Sequence, residues 1–305
     1  MHLPASPALS AVAVAASSAV AVAASPVTQQ AAGRQRSSGW DSMRGAAWGI
    51  AWGVLVLGCP RNGSMPNGAD PEKVSRAEYD LALDDWQHQR YRAAMEHAQK
   101  AISADDNNAE AHRLIALLYL AICQAENDCR WEEAEKAARK AIAVDPELRP
   151  AKHLLAVILI QQKKYDEAIA ILRPLAEDIV YKTPELAWYE LGGAYLEKNE
   201  PDKALEVLEK ALALKPGWCW VDYRMGVAFE KKGNLIKAEE LLKRSVDRPD
   251  PICKRLQDAW EALGRVHEKL GQKPVALEEY KQCVSISDKT SIGKRCVDGV
   301  VRCAK

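Results

Sequence analysis

Phenylalanine is nearly missing from this chain: one Phe stands beside nine Trp and nine Tyr in 305 residues. A surplus of either charge is missing too, because 42 Lys and Arg face 42 Asp and Glu. Binding to a nucleic-acid backbone draws on many unneutralised cations, so a nucleic-acid partner is excluded. The motifs of common chemistry are also lacking. The chain has no H-E-x-x-H, no G-x-x-x-x-G-K-[ST], no G-x-G-x-x-G, no G-x-S-x-G and no C-x-x-C, which leaves no signature of a zinc site, a phosphate loop or a nucleophile elbow. His88, His97, His112, His153 and His267 are scattered along the chain, and the acidic pairs Asp84-Asp85 and Glu132-Glu133 read as solvated helix faces. The expectation is a non-enzyme with no cofactor, no metal and no small-molecule substrate, so function is sought in protein binding.

What is there changes sharply along the chain. Residues 1–58 are Ala, Val, Ser and Gly with almost no acid, whereas residues 70–290 are rich in Ala, Leu, Glu and Lys. Such a break separates a targeting region from a folded one. Met43-Arg44 precedes the apolar run Gly45 to Leu57, which is too short to span a bilayer and suits a signal-peptide core. It closes as Leu55-Val56-Leu57-Gly58-Cys59, which resembles the lipobox of bacterial lipoproteins. That resemblance implies a signal peptide at 43–58, acylation of Cys59 and a lipidated flexible tether over 59–73. Two or three acyl chains hold a protein on a membrane stably, where one does not. Residues 1–42 lack a basic n-region, and Met43 is read as the true start; if Met1 is used, the extension is expected to be disordered.

A repeat of about 34 residues runs through the rest. Its cleanest unit has Trp188, Leu191, Gly192 and Tyr195 on a first helix, then Ala204, Leu208 and Ala211 on a second, with Pro216 closing it. This is the tetratricopeptide (TPR) pattern, in which small residues let two antiparallel helices approach while large ones fill the space around them. Met225, Gly226, Phe229, Ala238 and Leu242 follow in frame, and Trp260, Leu263, Gly264, Ala276 and Tyr280 come after about four extra residues. Backward, the frame meets Leu155, Ala156 and Leu172, then Ile115, Ala116 and Ala138, then Leu81, Ala82 and Ala98. The pattern predicts an all-α, right-handed superhelical solenoid of six TPR helix-turn-helix repeats over 74–288, with a capping helix over 289–305 to cover the last open face.

Seven cysteines besides Cys59 are a heavy load for a helical protein in a reducing compartment. Cys123 and Cys129 flank an insertion of about six residues in the second repeat. Cys219 opens the fifth repeat and Cys253 follows it, so antiparallel helices bring both to one edge. Cys283 faces the cap, where Cys296 or Cys303 could meet it. Spacing alone does not fix the connectivity.

First-helix residues that do not hold the two helices together line the concave face of such a solenoid. In this frame they are Arg113, Leu117 and Leu120, His153, Val157 and Ile160, Tyr189 and Leu196, and Trp220, Tyr223 and Val227. A groove this apolar suits an amphipathic helix or extended peptide, with Tyr189, Trp220 and Tyr223 as anchors and Arg113 as a charge partner.

A lipobox followed by six TPRs with paired cysteines resembles the Tgl-type lipoproteins and the wider pilotin family of type IV pilus biogenesis. The resemblance covers Cys59 to Lys305, and its single motifs are generic to TPRs. It implies an outer-membrane lipoprotein, its solenoid facing the periplasm, that binds secretin subunits and promotes their assembly into the pilus pore. Pro60, following the Cys, is compatible with that destination, since retention at the inner membrane is most familiarly signalled by Asp there. The alternative is an envelope TPR adaptor for peptidoglycan enzymes or outer-membrane protein assembly.

Overall fold

The computed structural model describes residues 70–305. Among the described residues there are fourteen helices and no strand. Six antiparallel pairs follow one another: α1 (Pro71–Gln87) with α2 (Tyr91–Ala104), α3 (Ala109–Glu126) with α4 (Trp131–Val144), α5 (Arg149–Gln161) with α6 (Tyr165–Glu177), α7 (Pro184–Glu197) with α8 (Pro201–Leu214), α9 (Cys219–Lys231) with α10 (Leu235–Val246), and α12 (Gln257–Lys269) with α13 (Lys273–Ile286). The short α11 (Pro251–Lys254) accommodates the extra residues before the sixth pair, and α14 (Ser291–Cys303) packs on α13 and α12 as a cap.

The two helices of a pair differ in chemistry because they differ in surroundings. The first helices of the middle repeats are apolar nearly all round: Leu114–Cys123, Leu154–Ile160 and Ala187–Leu196 are buried almost without a break. The second helices are amphipathic and bury a narrow stripe, such as Ala134, Ala138 and Ala141 or Ala204, Leu208 and Ala211. Each first helix is therefore an inner layer and each second helix an outer one.

Closeness within a pair is set by residues sixteen apart. A Cβ on Gly192, Gly226 or Gly264 would lie 2.5–2.6 Å from Leu208, Leu242 or Tyr280, so these pairs need the glycine. In the first two repeats the same places hold Ala82, with Ala98 sixteen residues on, and Ala116, with Ala138 twenty-two residues on, past the insertion; all four are fully buried.

Every turn within a pair contains one residue at positive φ: Gln89, Asn127, Lys163, Asn199, Gly233 and Gly271. In five of them the next N–H bonds back to the first helix, as in Lys164 to the Leu159 carbonyl (2.8 Å) and Glu200 to that of Tyr195 (2.9 Å), satisfying carbonyls that a helix end leaves open. The exception is the second repeat, where the insertion lengthens α3 and a Cys123–Cys129 disulfide ties its end to the loop.

Two further disulfides join elements. Cys219–Cys253 links the start of α9 to α11, and Cys283–Cys296 links α13 to the cap. Cys303 is left as a buried free thiol whose pKa burial raises. The side-chain amide of Gln257 donates to the Cys283 (2.9 Å) and Ser287 (2.5 Å) carbonyls, and its oxygen accepts from the Thr290 hydroxyl (2.7 Å). Thr290 in turn caps α14 by accepting from the Gly293 N–H.

Candidate functional site: the inner face of the first helices

The predicted groove divides into a closed part and an open one. Leu117 is 4% exposed, and Val157 and Tyr189 are 0%; Leu120, Ile160 and Leu196 are buried as well. These six do not line an accessible groove, which corrects the expectation drawn from spacing. The cause is sideways packing, in which residues of a neighbouring repeat cover the face that the frame leaves open. Tyr189 shows it most clearly. The Arg224 guanidinium stacks 3.5 Å from its ring centroid, Trp218 packs at 4.7 Å, and both come from the following repeat.

Arg224 is fixed from three sides. It donates to the Tyr189 backbone carbonyl and to Glu190 (3.1 Å), and its guanidinium fills the space above Gly193, where a Cβ would fall 2.6 Å from Nη1. Glu190 is 2% exposed; burial raises its carboxyl pKa and Arg224 opposes the rise. The pair joins one repeat to the next, and loss of either partner strands a buried charge at a cost of about 3–5 kcal/mol.

The open part lies on the fifth and sixth repeats. Trp220, Tyr223 and Val227 are half-buried, and their spacing of three and four residues puts them on one face of α9. Next along the frame come Asp258, Glu261 and Arg265 on α12. Burial, reinforced by Glu261, pushes the Asp258 carboxyl up to about 6, against the pull of Arg295 and Arg224. Burial and then the charge of Asp258 push the Tyr223 hydroxyl well up. Arg265 instead is well paired: Glu230 accepts from it at 2.7 and 3.2 Å, Glu261 accepts as well, and Lys269 adds a 2.8 Å bond to Glu230. The surface therefore runs from an aromatic patch on α9 into a dense charge network on α12.

His153 and Arg113 lie away from that patch. The His153 ring is 6.2 Å from that of Tyr181 and its Nε2 is buried without a partner; burial pulls the imidazole down to about 4, so it is neutral at physiological pH. Arg113 donates to Glu110 (2.6 Å). Burial works against its charge, yet Glu110 and Tyr79 outweigh it and raise the guanidinium pKa. Committed to those internal partners, Arg113 is not a free charge for a ligand. The pair Asp84-Asp85 is also more engaged than its sequence suggests, since Asp85 is buried beneath Arg90, which donates to it at 2.6 Å.

Spacing missed Asp258 and Arg224. Carrying the frame one repeat further, from Trp220 past the four extra residues, reaches Asp258. Arg224 gave no signal, because its ring partner sits 35 residues earlier. Cys59, the signal segment 43–58 and the tether up to residue 69 lie outside the described residues. Among the described residues, no cluster of three or more His, Cys, Asp or Glu is arranged to hold a metal, and no helix is long and apolar enough to cross a membrane.

Family models described as tetratricopeptide repeat match residues 130–179, 185–218 and 257–290. With the paired helices and their close approaches, these define the fold: a tetratricopeptide-repeat solenoid. The chain is similar to the Type IV pilus assembly protein PilF of Pseudomonas aeruginosa, with 25% identity over 190 residues that cover 61% of this chain and 73% of that protein. Two solved structures share the fold. That of PilW, described as a widely conserved type IV pilus biogenesis factor, aligns with a TM-score of 0.62 at 19% identity over 74% of this chain and 99% of that one. That of Pseudomonas aeruginosa pilF aligns with a TM-score of 0.58 at 20% identity over 75% and 98%.

Proposed function

We propose that this chain is a non-catalytic lipoprotein of the bacterial envelope, of the Tgl and pilotin type. In this reading it is anchored through Cys59 in the outer membrane with the solenoid in the periplasm, and it binds secretin subunits and promotes their assembly into the type IV pilus pore. The observation that carries the reading is the similarity to a type IV pilus assembly protein over 190 residues and 73% of that protein's length. A match confined to one repeat would speak only for the TPR pattern. The half-buried Trp220, Tyr223 and Val227 supply an aromatic surface suited to a protein segment, and three disulfides suit an oxidising compartment.

Deletion of the gene tests this, with secretin followed on gels that preserve heat-stable multimers. Multimers are expected to disappear while monomer persists, and a Cys59→Ala chain is expected to restore them only in part. Normal multimers and normal pili in the deletion strain would overturn the reading.

A further inference from the structure

The solenoid has two edges, and one bears a row of exposed apolar residues. Entrance and exit of a repeat meet at that edge, as four cross-links show: Asn108 donates to Ser75 (2.9 Å), Arg149 to Asp178 (2.6 Å), Cys219 bonds Cys253, and Gln257 donates to the Ser287 carbonyl. The exit of each repeat is the entrance of the next, so all the loops between repeats line one edge. Three consecutive loops there carry Ile179 (98% exposed) and Val180 (63%), Leu214 at the end of α8 (54%), and Ile252 (52%).

These side chains are held outward. The Val180 N–H donates to Asp178 Oδ1 and the Ile252 N–H to Asp250 Oδ1, both at 2.8 Å. Buried neighbours, Tyr181 and Cys253, pin two of the loops from below. The same loops carry Lys182, Lys215, Lys254 and Arg255, all exposed and none in an ion pair among the described residues, with Lys215 lying 4.7 Å over the Trp218 ring; they outnumber the exposed Asp247 and Asp250 of these loops. At the opposite edge Ile236 and Val275 are also exposed, but most of the lysines around them are bonded: Lys231 to Asn199, Lys232 to Asp202, Lys237 to Glu240 and Lys269 to Glu230.

We propose that the edge formed by the three loops after the third, fourth and fifth repeats lies against an anionic lipid surface, with Ile179, Val180, Leu214 and Ile252 inserted at the interface and Lys182, Lys215, Lys254 and Arg255 beside headgroups. The chain itself favours a membrane over a protein as the occupant. It enters the solenoid at Asp70, at this same edge, and Cys59 is only eleven residues earlier, a reach of at most roughly 40 Å. An acyl anchor at Cys59 would join the bilayer to the chain at this edge; the orientation rests on the lipoprotein reading. Apolar tips flanked by unpaired Lys and Arg are the composition that such an interface favours.

The test is hydrogen exchange on the full chain purified from cell membranes, bound to vesicles of phosphatidylethanolamine and phosphatidylglycerol and compared with the same protein in detergent, with the N-terminal peptide weighed for acylation. Exchange is expected to slow severalfold at 178–183, 214–218 and 250–256 and to stay unchanged at 231–237 and 270–275. An Ile179→Ser, Val180→Ser, Leu214→Ser, Ile252→Ser chain, altered only at exposed positions, is expected to fold normally and lose the protection. Protection of the three loops on a chain whose Cys59 is unmodified would uphold the edge and overturn the anchor. An acylated, vesicle-bound chain without that protection, or protected at the opposite edge, would overturn the edge and leave the anchor standing. Protection that requires a partner protein in place of lipid would likewise overturn the edge.

Discussion

Asp258, partly buried on α12 beside the aromatic patch, illustrates what one residue does to the whole chain. Its folded pKa of about 6 lies above the ordinary aspartate value, so between about pH 4 and 6 the folded chain keeps a proton that the unfolded chain has released. The contribution of this site to stability therefore falls as pH rises through that window and stays low above it. His153, held down to about 4, has the opposite sign: its contribution is present at neutral pH and is lost as pH falls from about 6.5 towards 4. Replacing Asp258 alone isolates its share. Asp258→Asn is expected to stabilise the chain by up to about 2–3 kcal/mol at pH 7 and by little at pH 4, read from urea unfolding at both pH values. An equal shift at the two pH values would show that burial of Asp258 is not what the substitution relieves. None of this was legible beforehand. The position of Asp258 follows from the frame, but its charge environment depends on Glu261, Arg224 and Arg295, which come from three different helices.

Helices and their pairing were the most readable level, because each TPR carries its close-approach residues at fixed spacing within one short stretch. Gly192 with Leu208 and Gly226 with Leu242 can be found by counting sixteen residues, and the structure joins them directly. Turns were less readable. Gly233 marks one openly, yet Gln89, Lys163 and Asn199 adopt the same left-handed conformation without a glycine. A side chain there costs on the order of 1 kcal/mol, and the closing hydrogen bonds to the preceding helix offset it. The loops between repeats are braced covalently only at Cys219–Cys253, a closure of 34 residues. In a chain-entropy account such a closure contributes roughly 3–4 kcal/mol. Cys219→Ala with Cys253→Ala is accordingly expected to lower stability by about 2–4 kcal/mol, with the fifth and sixth repeats gaining hydrogen exchange first. Uniform loss across all six repeats would instead indicate that the array unfolds as a single unit.

At the scale of the whole molecule a solenoid's stability is nearly a sum over neighbours, which is why so much of it can be read locally and why its working surface cannot. Spacing marks every first helix with an inner face, but whether that face is open depends on what the next repeat lays across it. Over Tyr189 it lays Arg224 and Trp218; Trp220, Tyr223 and Val227 it leaves only partly buried. The division makes a sharp comparison possible. If the patch on α9 is the contact surface for a pilus protein, Trp220→Ala with Tyr223→Ala should weaken partner binding by at least about 2 kcal/mol, as the loss of an aromatic anchor does. Leu117→Ala with Val157→Ala, in the closed part, should instead remove buried volume and lower stability by about 2–5 kcal/mol for the leucine alone, with affinity unchanged wherever the chain is still folded. Calorimetric titration with a secretin fragment and thermal unfolding of both variants separate the cases. If the buried pair abolishes binding while the aromatic pair leaves it intact, the partner grips elsewhere and the solenoid acts through its outer helices.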